Sequence, residues 1–234
     1  MEKQILKKLN SREYEHPLDR EALNKVRNSK GFDSLLRKVN QYSTEKIQGV
    51  VHSGSFFKVT EKSLPKLNKL FEESCRILDI DYKPNLYITQ DPMINAYALG
   101  ANNPMIVLTT GSLERLSTEE LFYLLGHELG HIKSGHTAYL DLQYILPRIG
   151  NVVGSMTFGL GRPFVDAISY SLNYWSRMGE LTCDRAGFLC CQDFDVVISA
   201  LAKMAGFPSN YATEFNKESF LDQANSFEEL DKDS

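Results

Sequence analysis

Leu121-Phe122-Tyr123-Leu124-Leu125-Gly126-His127-Glu128-Leu129-Gly130-His131-Ile132-Lys133-Ser134-Gly135-His136 is the stretch from which the fold is read. Within it, His127 and His131 stand four residues apart. On an α-helix that puts them one turn above each other on the same face, the spacing at which two imidazoles reach one tetrahedral Zn2+. Glu128 then falls beside the ion instead of on it, where a carboxylate can take a proton from water and hand it to a leaving amine. The pattern needs a helix to work, and helix signals exist apart from it. Ser117-Thr118-Glu119-Glu120 is a capping box, and Leu121, Leu124, Leu125, Leu129 and Ile132 recur at helical spacing as a core-facing stripe. The blander reading is a pair of core or surface histidines on an ordinary helix.

A second stretch sharpens the choice. Trp175-Ser176-Arg177-Met178-Gly179-Glu180-Leu181-Thr182-Cys183-Asp184-Arg185-Ala186-Gly187 places Glu180 and Asp184 four apart, hence on one face of another helix. Glu180 is suited to give a carboxylate oxygen as third ligand, leaving a fourth position open for water as a catalytic zinc requires. Asp184, one turn on, is expected to accept the second ring N–H of His127 and so fix its tautomer. Two acids on a helix are by themselves more often a solvated face. Their place downstream of His127 and His131 is what gives them meaning.

Composition bounds the rest. At 234 residues and 42% apolar content, the chain can bury one sizeable core, or a core plus a smaller N-terminal unit. A net charge of -4 provides no basic footprint, so no nucleic-acid partner is expected. Met1 to Lys8 lacks the apolar core of a signal peptide, and a cytoplasmic location follows as the expectation. Cys75, Cys183, Cys190 and Cys191 are accordingly expected as reduced thiols. The aromatic and apolar segment from Thr137 to Tyr174 is interrupted by Arg148, Arg162 and Asp166. Its longest uncharged run, Ile149 to Gly161, is shorter than the roughly twenty residues a spanning helix needs. No transmembrane segment is predicted. A lid, a dimer surface or contact at a membrane surface stays open, and Gly150, Gly154, Gly159 and Gly161 suggest a mobile turn between two helices.

Periodicity fills in the frame. The first thirty residues predict a mobile start and a short helix over Ala22–Val26, and His16 and His52 read as surface or packing residues. Phe32–Val39 and Leu64–Leu78 predict amphipathic helices. Val50–His52 and Phe56–Val59 predict a hairpin around Ser53-Gly54-Ser55. Asn85–Thr89, Ala96–Leu99 and Met105–Thr109 predict three short strands, with one edge of their sheet beside the metal, where an extended peptide can add as a strand. Phe194–Ala205 predicts another amphipathic helix, and the acidic residues after 222 a solvated, partly disordered tail.

These residues carry a family resemblance. His127-Glu128-Leu129-Gly130-His131 followed by Glu180-Leu181-Thr182-Cys183-Asp184-Arg185-Ala186-Gly187 resembles the gluzincin zinc metallopeptidases, and within them the family of the CAAX prenyl protease and HtpX. Asp91 to Gly100, Pro104 to Gly111 and Glu119-Glu120-Leu121 resemble that family's approach to its active-site helix. His16-Pro17-Leu18-Asp19-Arg20 and Trp175-Ser176-Arg177 resemble a soluble bacterial branch. The resemblance implies an α+β, mostly helical, zincin-like fold with a small β-sheet beside the H-E-x-x-H helix. It implies one Zn2+ per chain on His127, His131 and Glu180, Glu128 as general base and acid, and Asp184 as orienter. It also implies Asn95 and Ala96 as the edge pair that holds substrate main chain. Cys183 departs from the family, which usually has Ala there; the change is expected to alter packing only.

The reading divides the chain into an N-terminal helical and extended segment packing on the core (1–60), a zinc metallopeptidase domain (61–210) and an acidic tail (211–234). The expected function is a zinc endopeptidase acting on peptides or unfolded proteins. His136, Tyr174 and Arg185 stand unranked as donors to the developing oxyanion, and His136, five residues past His131 and off the ligand face, is read as a neighbour of the ligands and not as one of them. The alternatives are a binding or chaperone-like module that keeps its metal, and an enzyme gated until segment 137–174 docks on a protein or membrane. Oligomeric state is not legible.

Overall fold

The computed structural model describes residues 3–28, 32, 36, 54, 56–156 and 162–232. The fold is α+β. Helices α1 (Ser11–Tyr14) and α2 (Pro17–Arg27) lead into strand β1 (Phe57–Lys58), helix α3 (Pro65–Ile77) and strands β2 (Asn85–Thr89), β3 (Ala96–Leu99) and β4 (Met105–Thr109). Helices α4 (Thr110–Arg115), α5 (Thr118–Lys133), α6 (Thr137–Met156), α7 (Arg162–Cys191), α8 (Phe194–Met204) and α9 (Lys217–Lys232) follow, with a 3-10 turn at Ser209–Glu214.

The sheet runs β1-β2-β4-β3. β4 is central and buried along its whole length, as an uninterrupted Met-Ile-Val-Leu-Thr run should be when both faces are covered. It pairs parallel with β2 (Leu86↔Ile106) and antiparallel with β3 (Ala98↔Ile106). β3 is therefore an edge strand. Thr109 ends β4 and caps α4, its hydroxyl accepting the Ser112 N–H at 3.2 Å. At Gly111 the Asp91–Met93 turn comes so close that an added Cβ would lie 2.3 Å from the Pro92 carbonyl oxygen.

Two apolar cores flank α5 and α7. One joins the sheet, α3 and α5 through Phe71, Ile106, Leu108, Leu125 and Leu129; the other joins α2, α6 and α7 through Val26, Leu142, Leu172 and Trp175. All four cysteines are buried and free.

Several expectations are revised. α2 begins at Pro17, well before Ala22, because Pro pre-sets the first helical φ and His16 Nδ1 caps the Leu18 N–H at 3.2 Å. Of the Phe32–Val39 helix only Phe32 and Leu36 are described; both are helical and pack on the second core. The limb Val50–His52, and His52 with it, lies outside the described residues, and β1 pairs antiparallel with β2. Gly150 and Gly154 belong to α6 and not to a turn, while Gly159 and Gly161 are outside the described residues. The acidic end is helical over Lys217–Lys232, and the Phe220 ring lies tilted against Phe215 at 6.0 Å, which in turn meets Phe207 at 5.0 Å. Aromatic anchors thus order a segment that its charges alone mark as solvated. Among the described residues, no helix is long and apolar enough to cross a membrane.

Candidate metal centre

The capping box forms as spaced. Ser117 Oγ accepts the Glu120 N–H at 3.2 Å, and Glu120 Oε2 accepts the Ser117 N–H at 2.7 Å. α5 then runs through the middle of the molecule, buried on more than the one stripe its leucines suggest. Its polar residues at 127, 128 and 131 face the single side left for chemistry.

What brings α7 against α5 is a lack of side chains. A Cβ on Gly126 would sit 2.3 Å from Cys190 Cβ, and one on Gly130 would sit 2.7 Å from Ala186 Cβ. The backbones approach closely enough for the acids of α7 to reach across. His127 Nε2 lies 3.1 Å from Glu180 Oε2, and His131 Nε2 lies 3.6 Å from Glu180 Oε1. Donors held at roughly 2.1 Å in a tetrahedron stand about 3.4 Å apart. The two separations bracket that edge.

Protonation tells the same story. Burial disfavours a charged His127, yet its hydrogen bonds to Asp184 and Glu180 outweigh burial and raise it to about 10. Burial and the neighbouring His127 charge push His131 down to about 3. Burial pushes Glu128 up to about 7. The protein groups thus hold a positive charge between His127 and Glu180, where a cation can replace the proton. Two imidazoles and one carboxylate, with the cleft on the fourth side, form a donor set that fits a divalent ion such as zinc.

The other nitrogen of His127 is also engaged. Its Nδ1–H donates to Asp184 Oδ1 at 3.0 Å, and the Tyr123 hydroxyl donates to the same oxygen at 2.7 Å. Glu128 faces the cleft and receives the Ala98 backbone N–H, which ties it to β3. The cleft, ≈ 440 Å³, has β3 along one side, His127, Glu128 and His131 on its floor, and apolar Leu124, Leu140, Leu201 and Met204 around them.

Thr109 N–H donates to the Asn95 carbonyl at 3.1 Å, and antiparallel alternation then turns the main-chain groups of Ala96 and Ala98 outward. The Asn95 side chain is occupied locally, its Oδ1 accepting the Ala96 N–H at 2.9 Å.

His127, Glu128, His131, Glu180, Asp184, Asn95 and Ala96 therefore share one cleft. His136, Tyr174 and Arg185 do not line it. His136 is buried behind His131, with its Nε2 3.2 Å from Asp19 Oδ2. Arg185 Nη1 donates to the carbonyls of Tyr14 and Glu15 at 3.3 and 3.4 Å, and Tyr174 is 40% exposed on α7. α5 ends at Lys133, and the turn through Ser134 and Gly135 carries His136 inward behind His131. Tyr123 and Asp19 escaped the sequence reading. Tyr123, four residues before His127 and so on its face, was findable; Asp19 stood in the His16–Arg20 run that carries the resemblance, but nothing local named its partners.

A helix bearing H-E-x-x-H, a carboxylate from a second helix and a sheet edge along the cleft define the metallopeptidase class. Within it the chain belongs to peptidase family M48, whose profile matches residues 61–227. The chain is 34% identical over 227 residues to the plastoglobule-localized metallopeptidase 48, chloroplastic, of Arabidopsis thaliana, covering 96% of this chain and 64% of that protein. It is 28% identical over 199 residues to a protease HtpX homolog of Moorella thermoacetica, covering 75% and 66%. It therefore spans just under two thirds of the length of these two relatives. No solved structure matches the chain.

Proposed function

We propose that this chain is a zinc-dependent endopeptidase that cleaves extended peptides or unfolded proteins. The observation that carries the reading is the convergence of His127, His131 and Glu180 with Glu128 at a cleft whose wall is an edge strand. A zinc ion held by those three residues supplies Lewis acidity to the attacking water and the scissile carbonyl. Glu128, buried and anchored by Ala98, takes the water's proton and returns it to the departing amine. Asp184 keeps His127 in the tautomer that presents Nε2 to the ion, and Tyr123 holds Asp184 in turn.

Substrate enters as a fifth strand on β3. The outward main-chain groups of Ala96 and the Ala98 carbonyl grip its backbone, the Ala98 N–H staying with Glu128, and Asn95 must release the Ala96 N–H for this to happen. Leu124, Leu140, Leu201 and Met204 favour an apolar side chain next to the cut. The intact base argues against a purely structural metal, which has no use for one.

The test is metal content together with casein cleavage, wild type against Glu128→Gln. One zinc per chain in both, with cleavage reduced about 10^2–10^4-fold in the variant, is the expected result. Zinc in both and no cleavage by either would replace this reading with a binding module.

A further inference from the structure

Behind the metal centre, on the side away from the cleft, a buried chain of polar groups runs from His131 to the N-terminal helix α2. His136 Nδ1 lies 3.4 Å from His131 Nδ1, and His136 Nε2 lies 3.2 Å from Asp19 Oδ2. Asp19 also accepts the Trp175 Nε1–H at 2.8 Å on Oδ1 and the Thr182 hydroxyl at 2.5 Å on Oδ2. Thr182 Oγ1 in turn accepts the His16 N–H at 3.0 Å. Asp19 is 0% and His136 1% exposed.

With the His131 Nε2 lone pair reserved for a metal, one placement of hydrogens satisfies these contacts. An ionised carboxylate only accepts, so His136 presents Nε2–H to Asp19. Neutral His136 then offers Nδ1 as an acceptor, and His131 presents Nδ1–H to it across a long link. That leaves the His131 Nε2 lone pair aimed at His127 and Glu180, as a metal ligand requires.

We propose that Asp19 and His136 are positioning residues for the metal centre, setting the tautomer and ring plane of His131 as Asp184 does for His127. The proposal rests on the reading of His127, His131 and Glu180 as ligands. Asp19 lies on α2, ahead of the 61–227 stretch that the family profile matches, and the proposal makes α2 part of the site. A rival use of the same groups exists. Donor atoms of His131, His136 and Cys183 fall within 4.8 Å of one another, with Cys183 Sγ 3.7 Å from His136 Nδ1. A metal there would have to displace both the proton of a fully buried thiol and the His131 Nδ1–H, whereas the relay displaces neither.

The full chain carrying Asp19→Asn tests this. Asparagine keeps the shape but can turn an N–H2 toward His136 Nε2, which forces the ring proton to Nδ1 against the His131 Nδ1–H. Zinc affinity, read by competition with a chromophoric chelator, is expected to weaken about 10–100-fold. Long-range 1H–15N spectra of the histidine rings are expected to show His136 as the Nε2–H tautomer in wild type and Nδ1–H in the variant. Unchanged affinity, or an unchanged tautomer, overturns the proposal. If Asp19→Asn does not fold, His136→Gln and His136→Leu decide. Glutamine can accept from His131 and donate to Asp19, so it should hold zinc as wild type does while leucine does not; equal affinities overturn the relay. Two metals in wild type falling to one in Cys183→Ala would also overturn it in favour of the rival. A wild-type chain that binds no zinc sinks the ligand reading itself, whereas zinc binding indifferent to Asp19 sinks only the relay.

Discussion

Helix α5 has two flanks that differ in kind. Toward α7 it is closed: Gly126 and Gly130 let backbone meet backbone, and Ala186, Cys190 and Cys183 fill the seam without exposed surface. Toward β3 it is open, and the cleft lies between Glu128 and a half-buried edge strand. The closed flank fixes where the donors stand; the open one leaves room for a chain to lie down. A site that must admit a strand cannot be braced on the side where the strand enters. Its rigidity has to come from the other side.

If that division is right, the largest effect should follow from disturbing the closed flank. Gly126→Ala adds a methyl group where only 2.3 Å separates it from Cys190 Cβ. Over-packing of this kind costs about 3 kcal/mol when neither neighbour can move aside. Because the displaced element is α7, the same variant should also lose metal affinity, although no ligand has been touched. Denaturant unfolding and zinc competition together check this. A Gly126→Ala chain with wild-type stability and affinity would mean that the seam yields, and that closeness there does not set the donors.

Next in size is a change that leaves the seam alone and loosens one donor. Asp184→Asn can keep the one oxygen that accepts from both Tyr123 and His127, but it removes the negative charge that makes the bond to the His127 Nδ1–H strong. Metal affinity should weaken about 10–100-fold, with unfolding in metal-free buffer nearly unchanged. Equal losses in both measurements would make Asp184 part of the scaffold and not an orienter.

The two flanks also differ in how far the sequence discloses them. The open one was legible: β2, β3 and β4 are short apolar runs bounded by turn residues, and their observed limits match the predicted ones. So were His127, His131, Glu180 and Asp184, because i,i+4 spacing on a helix is a local relation. The closed flank was not. Gly126 and Gly130 read as minor interruptions in a leucine stripe, since nothing local says that another helix needs the space. Asp19 meets Trp175 and Thr182 across more than 150 positions of chain, a partnership that no spacing rule addresses. His136 could be read off the ligand face from its spacing, but not which way it faces, because the turn after Lys133 folds it back behind His131.

The smallest effect concerns how the open flank keeps its far wall. Leu201 and Met204 reach the cleft from α8, and α8 is moored to the first turn of α5 through Glu120, which accepts from Lys203 Nζ at 2.7 Å and Ser199 Oγ at 2.6 Å. Burial alone would raise the Glu120 carboxyl, but the bonds from Lys203, Ser199 and the Ser117 N–H outweigh it and hold it below the ordinary 4.5. A carboxyl depressed in the folded state contributes its full share of stability above the unfolded value. That share is lost as pH falls from about 4.5 through the lower folded value. Glu120→Gln should therefore cost roughly 1–2 kcal/mol at pH 7, and the gap to wild type should close in that acid window. Urea midpoints measured across it give the answer. A gap that persists at the acid end would mean that shape and not charge moors α8, and that the open flank is held by packing as the closed one is.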